Sequence, residues 1–466
     1  MRIVLLAFSL LIASAADWPQ FRGINAKGLS TDVNLPIEFG PTKNVVWKTP
    51  VPRGHSSAVF AGNRIYMTAE EGEKIFTIAL DRKTGKEVWR REAPRARVEE
   101  MNKTNSAASC SPVSDGKNVY VFFGSYGMLS YTADGVERWK VPFGLLNNMN
   151  GFGSSPILAD GMLILVVDQD TDAYMIAMNP DTGKQIWRAP RPETLRGYTT
   201  PSVWRPAKGP AELVVSGAFV TSGYELKTGK RLWWVRGMAW QLKGAPVIEG
   251  DIAYINSWEA GGDTETPPEV EGWKESIAQF DSNKDGKLAE DETPPRLKKR
   301  SFYEADLDKN GFLDENEWNF MRSRRQAQNS ILAIKLGGRG DVTDTHVLWR
   351  YRKSLPNTPT PLLYKGALFM VKDGGVLTSL NPENGEVFKQ ARLTGALEQY
   401  WASPVGADGK VYVASQAGKV VVLRASPEWE VLKINELDDE IFSTPAIVDG
   451  KLYVRTRSAL YCFGNK

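Results

Sequence analysis

The segment ALDRKTGKEVW, Ala79 to Trp89, returns position for position as AMNPDTGKQIW at Ala177 to Trp187. It recurs as YELKTGKRLW from Tyr224 to Trp233 and as LNPENGEVF from Leu380 to Phe388, with a version shortened by two residues, YTADGVERW, from Tyr131 to Trp139. Each copy reads as a hairpin: an apolar strand end, a turn of Asx, Thr and Gly in which glycine takes the left-handed conformation, and a strand closing on an aromatic. No other feature limits the possible folds of this chain so strongly.

A second landmark, a small residue followed by proline and an apolar strand, stands at Ser111-Pro112, Ser155-Pro156, Thr200-Pro201, Ala245-Pro246, Thr360-Pro361, Ser403-Pro404 and Thr444-Pro445. Most steps are about 41 to 45 residues, the length of a four-stranded propeller blade. Adding Ser56-Ser57-Ala58 makes eight starts, so the expected fold is all-β, an eight-bladed propeller. The last blade lacks an outer strand, which Val45-Val46-Trp47 can supply, closing the ring. Trp47, Trp89, Trp139, Trp187, Trp233 and Trp349 recur at one repeat position and are expected to pack between blades.

The long step from Pro246 to Pro361 holds extra residues, placing an insertion of about 262 to 328 within blade five. The expected organisation is a signal peptide at 1–16, propeller from 17 to 261, the insertion at 262–328, and propeller again from 329 to 466. The insertion contains the pattern D-x-[DN]-x-[DN]-G-x₅-E twice. Ca²⁺ takes six to eight oxygens, which an EF-hand supplies from positions 1, 3 and 5, a carbonyl at 7 and a bidentate Glu at 12. Asp281, Asn283, Asp285, Lys287 and Glu292 fill these roles in the first loop, and Asp306, Asp308, Asn310, Phe312 and Glu317 in the second. Both loops resemble EF-hands of the bacterial, secreted kind, which implies two calcium ions. Leu288 and Leu313 can pair the loops through a short strand, and Pro294-Pro295 leave little exit helix to the first hand. That favours a structural or buffering module over a switch. The basic run Lys298 to Arg300, with Arg322, Arg324 and Arg325, is expected on solvated helix faces.

With its hairpins and opening Asp17-Trp18-Pro19-Gln20-Phe21-Arg22-Gly23, the chain resembles the pyrroloquinoline-quinone (PQQ) repeat propellers. That group holds quinoprotein alcohol dehydrogenases, a scaffold lipoprotein of the outer-membrane assembly machine and many secreted propellers. The resemblance covers nearly all of the mature chain and speaks to fold more than to function. For the dehydrogenases it implies PQQ in the central funnel between a tryptophan and an adjacent-cysteine disulfide, beside calcium and a catalytic Asp. This chain has two cysteines, Cys110 and Cys462, in non-adjacent blades; they are expected to be buried thiols. No catalytic residue can be assigned by motif. A binding or interaction module is therefore the first reading, and a PQQ-dependent alcohol or sugar dehydrogenase the second.

Segments leading into the innermost strands carry Arg53, His55, Arg196, Tyr198, Trp240, Gln241 and Trp401, a set suited to a flat or anionic ligand at the mouth. The bland alternative is a plugged channel whose side chains satisfy loop backbones. Asp168, Asp170 and Asp172 are expected to face water at a strand end. Arg2, the apolar run Ile3 to Ile12 and Ala13-Ser14-Ala15 read as a signal peptide, so the protein is expected to be exported, periplasmic or extracellular. No later run approaches the roughly 20 apolar residues of a membrane helix. A net charge of +3 gives no steering toward nucleic acid, and a monomer is expected, with an unknown protein or small-molecule partner at the mouth.

Overall fold

The computed structural model describes residues 17–465 apart from 96, 100, 264, 265 and 295–298. The segment read as a signal peptide and Lys298 lie outside the described residues. Seven consecutive antiparallel sheets and an eighth that joins the two ends of the chain make an eight-bladed β-propeller. The first blade runs Val59–Ala61, Arg64–Glu71, Lys74–Asp81 and Glu87–Ala93 from the inside outward. In the eighth, Ala446–Val448, Lys451–Arg455 and Ala459–Phe463 receive Val45–Pro50 as their outer strand, Trp47 facing Cys462. That is the closure expected from the sequence.

Middle strands such as Met162–Val167 and Glu212–Gly217 are buried along their whole length, because neighbouring blades cover both faces. Outermost strands alternate, as Val45–Pro50 does, because one face meets water. The repeated hairpin is what each blade offers its neighbour. The Trp89 indole donates to the Ala133 carbonyl at 2.9 Å, Trp139 to Pro180 at 2.9 Å and Trp349 to Pro382 at 2.9 Å. Each ring lies flat against the glycine of that turn, so that a methyl placed on Gly135 would stand 2.7 Å from Trp89. Trp233 packs between blades four and five as expected but makes a different hydrogen bond. Its Nε1 donates to Glu212 Oε2 of its own blade at 2.7 Å, since blade five has no Thr-Gly-Lys hairpin to receive it.

The small residue before each proline also has a physical role. The Ser57 N–H donates to Ser111 Oγ, Ser111 to Ser155 and Ser155 to Thr200, at 2.9 to 3.0 Å. Ala245 donates to Thr360, Thr360 to Ser403, Ser403 to Thr444, and Thr444 back to Ser57 at 3.1 Å. These bonds stitch the inner strands around the axis. One link is missing, because Ala245 has no hydroxyl for Thr200.

Blade five consists of Val247–Glu249, Ile252–Ser257, Ser330–Lys335 and Val347–Tyr351. Between its second and third strands, paired from Ile252 with Lys335 to Ser257 with Ser330, the chain leaves the sheet. It forms the helices Trp273–Phe280, Lys299–Ala305 and Glu315–Gln326 around Leu288, Phe302, Leu313, Trp318 and Met321. A two-residue strand, Gly340–Asp341, adds a parallel edge to blade four that the sequence did not suggest. Cys110 and Cys462 are both free and buried.

Candidate functional site

The helical excursion carries two acidic loops of matching build. In the first, the Asp281 carboxylate accepts the Gly286 N–H at 3.0 Å and the Asp285 N–H at 3.2 Å. In the second, Asp306 accepts Gly311 at 3.0 Å and Asn310 at 3.1 Å. Asn283 accepts from Asp285 N, and Asp308 from Asn310 N. Glu292 accepts from Ser282 and Ala289, and Glu317 from Leu307 and Asp314, so each closing glutamate folds back over its own loop. Carboxylate oxygens of Asp281, Asp285 and Glu292 lie within 4.8 Å of one another, as do those of Asp306, Asp308 and Glu317. Leu288 pairs with Leu313 and Ala289 with Phe312 in an antiparallel ladder, and Lys287 Nζ lies 5.5 Å from the Phe312 ring centroid. Clustered hard oxygens of this kind fit a divalent cation such as Ca²⁺.

The second loop is seated on the propeller. Leu307 and Phe320 pack with Ala218 and Trp240, whose ring meets Phe320 edge-on at 5.3 Å. Asn147 donates to the Leu307 carbonyl at 2.9 Å and Arg196 to the Glu304 carbonyl at 3.3 Å. Arg324, expected on a solvated face, is instead half-buried, 4.1 Å from the Trp240 ring centroid and paired with both Glu259, at 2.9 Å, and Glu304. Arg325 stays exposed.

Beneath this contact opens a cavity of about 410 Å³ at the propeller mouth. Of the residues read from the sequence as a mouth set, His55, Arg196, Tyr198, Trp240, Gln241 and Trp401 line it. Arg53 does not; it pairs with Glu70 at 2.9 Å and lines a smaller neighbouring cavity. Lys243, Trp258, Glu259, Glu304 and Arg324 also line the mouth, and sequence reasoning missed their part in it. The only signal was indirect: Trp258 and Glu259 end the flank where the chain leaves blade five.

Buried acids hold the mouth in place. Asp168 and Asp170, expected in water, are buried and paired with Arg191 at 2.7 Å and Arg196 at 2.5 Å. Only Asp172 is exposed. An alternating run of acids at a strand end gave no hint of two arginines that arrive from the segment after the blade's outermost strand, Gln185–Pro190. His55 stacks on Phe442 at 4.2 Å, and burial, with Arg455 and Arg53 nearby, pushes its imidazole down to about 3. Burial pushes the Lys243 amine down to about 8 and raises the Glu259 carboxyl. Arg196 Nη1, Trp240 Nε1 and Glu259 Oε2 are buried without a hydrogen-bond partner. Neither cysteine lines the cavity, so the paired-cysteine wall of a quinone site has no counterpart.

Among the described residues, no helix is long and apolar enough to cross a membrane. No curated protein matches the sequence. Among solved structures the chain is similar to BamB from Moraxella catarrhalis, at 11% identity and a TM-score of 0.57 over 91% of this chain and 97% of that one. It is equally similar to a europium-containing methanol dehydrogenase, with 11% identity and a TM-score of 0.57 over 97% and 99%. A quinohemoprotein alcohol dehydrogenase from Comamonas testosteroni matches at 11% and 0.57 over 96% and 80%. At such identities the likeness is one of fold. The family model described as outer membrane protein assembly factor BamB matches residues 37–145, 76–283 and 172–462. Matched over most of its length, the chain belongs to that family of PQQ-repeat propellers.

Proposed function

We propose that the protein is an exported, calcium-binding propeller that captures a ligand or a segment of a partner protein at its mouth. One observation carries this reading: the mouth cavity is walled jointly by propeller and insertion, with Arg324 and Glu304 of the insertion meeting Glu259, Arg196 and Trp240. In this reading residues 262–328 form an EF-hand pair, residues 1–16 direct export, and calcium shapes the loop that closes the mouth. Asp281, Asn283, Asp285, Glu292 and the Lys287 carbonyl would hold one ion. Asp306, Asp308, Asn310, Glu317 and the Phe312 carbonyl would hold the other. The BamB likeness favours protein interaction as the role.

Calorimetry on the mature protein tests the metal. Two ions are expected, with dissociation constants of about 10⁻⁴ to 10⁻³ M if the pair is tuned like extracellular modules. Glu292→Gln and Glu317→Gln should each remove one, because an amide cannot replace the bidentate carboxylate; unchanged stoichiometry in both would overturn the assignment.

A second reading, PQQ-dependent oxidation of alcohols or sugars, draws on the fold shared with methanol dehydrogenase and on Arg196 and Trp240 in the mouth. Against it stands the missing cysteine pair. When bound, PQQ would supply the redox chemistry itself. Dye-linked turnover with added PQQ and Ca²⁺ across alcohols and aldoses is expected to stay at background, and turnover abolished by Arg196→Ala would move the function to catalysis.

A further inference from the structure

We infer that the smaller cavity beside the mouth binds a compact oxyanion, a phosphate or sulfate group, either free or carried at the end of a larger molecule. The site stands apart from the reading of the mouth given above. It encloses about 130 Å³ where segments of three blades meet. Arg53 leads into the first strand of blade one, Lys103 into that of blade two, and Arg457 lies in the turn between the last two strands of blade eight. These three are the charged side chains that line it, and all are cations; among the described residues no acid does.

Each cation keeps donors to spare. Arg53 Nε lies 2.9 Å from Glu70, and Arg457 Nη1 donates to Glu440 at 2.7 Å. One nitrogen thus ties each guanidinium to the protein, and its other nitrogens make no hydrogen bond to a described residue. Both side chains are about half exposed, 51% and 54%, so these donors are within reach of a ligand. Lys103 is exposed and has no carboxylate within 4.0 Å among the described residues. A fourth positive charge stands next to them. Arg455 is buried, and its guanidinium bonds the Ser56 carbonyl at 2.8 Å, the Ser56 hydroxyl at 2.7 Å and the Pro52 carbonyl at 3.2 Å, with no carboxylate within 4.0 Å. A methyl placed on Gly54, which lines the cavity, would stand 2.6 Å from Arg455 Nη2. His55 registers the same field: after burial, Arg455, Arg53 and Arg457 in turn lower its imidazole. Like charges gathered around a small concavity raise one another's energy until an anion enters. Guanidinium forks match the oxygens of a phosphate or sulfate. His55 and Phe442 line both cavities, so a molecule bearing the anion can extend from this site into the mouth.

Calorimetry on the mature protein at about pH 7.5 and 0.1 M NaCl tests the site, with inorganic phosphate, sulfate and phenyl phosphate as probes. No Ca²⁺ is added, since among the described residues the insertion contributes nothing to this cavity. One phosphate per chain is expected. Lys103→Gln and Arg457→Gln should each weaken it about five- to tenfold, the loss of one charge-assisted contact. Arg424→Gln, which removes an exposed arginine paired with Glu430 outside the cavity, should leave it unchanged. Melting curves taken alongside show whether each variant is folded. Tighter binding of phenyl phosphate than of phosphate would support the site with the oxyanion on a larger molecule; equal or weaker binding would support it with a free ion. Failure of all three probes to bind, or binding that both the Lys103 and Arg457 variants leave unchanged, would overturn it.

Discussion

His55 shows how far a single side chain can be moved by its surroundings. Stacked on Phe442 and half-buried near Arg455 and Arg53, it holds its imidazole near 3 instead of the ordinary 6.5. As pH falls below about 6.5 the unfolded chain takes up a proton that the native protein refuses until about 3, so this residue's effect is to lower stability progressively through that window. His55→Phe keeps a flat ring on Phe442 and removes the titration. Urea midpoints at pH 7.5, 5.5 and 4.5 should therefore fall less steeply in the variant than in the parent, while other titrating groups, such as Glu99 raised by burial to about 7, cancel in the comparison. Parallel slopes would show that His55 titrates normally. Arg324 teaches the same lesson in reverse: placed by sequence on a wet helix face, it is drawn between two acids and an indole by the docking of its helix.

Among the elements, the hairpin turn of one blade is the socket for the tryptophan of the one before it. Gly183 illustrates why glycine stands there. Its φ is +69°, and a methyl on it would come within 2.8 Å of the Trp139 ring. Gly183→Ala should lower stability by about 2 to 4 kcal/mol, combining left-handed strain with overpacking. Gly161 offers the control, with φ +74° and nothing within 4 Å, so that Gly161→Ala carries only the backbone strain of about 1 to 2 kcal/mol. Denaturant unfolding of both would separate the two contributions, and equal losses would mean that the indole moves aside freely.

For the whole molecule, the ring of backbone-to-hydroxyl bonds around the axis is broken at Ala245, next to the blade that carries the insertion. Ala245→Ser offers Thr200 the acceptor that Ser57, Ser111, Ser155, Thr360, Ser403 and Thr444 provide elsewhere. Thr200 itself accepts from Ser155, so the new bond would join an existing chain. A gain of about 0.5 to 1.5 kcal/mol is expected, the net worth of one internal hydrogen bond, read as a higher melting temperature. A loss would mean that the buried hydroxyl finds no donor and costs more than it contributes.

The repeats alone determined the eight blades, their order and the closing strand from Val45. Hairpins and inner-strand landmarks are local patterns, and stacking copies at a fixed spacing leaves few ways to bury them. The two acidic loops were likewise legible, since their spacing within twelve residues is a local property. Half of the mouth was visible too: His55, Arg196, Tyr198, Trp240, Gln241 and Trp401 all precede or enter inner strands, and so had to converge on one end of the ring. Lys243 also lies beside an inner strand, but nothing in its local sequence singled it out, and Glu259, Glu304 and Arg324 meet across separations of up to 65 residues. Their ion pairs were decided only when the insertion settled onto the propeller face, while the burial of Asp168 and Asp170 and the pairing of Arg53 with Glu70 were decided where loops of the propeller itself come together. Desolvation and pairing depend on which distant charges arrive together, and no periodicity along the chain records that.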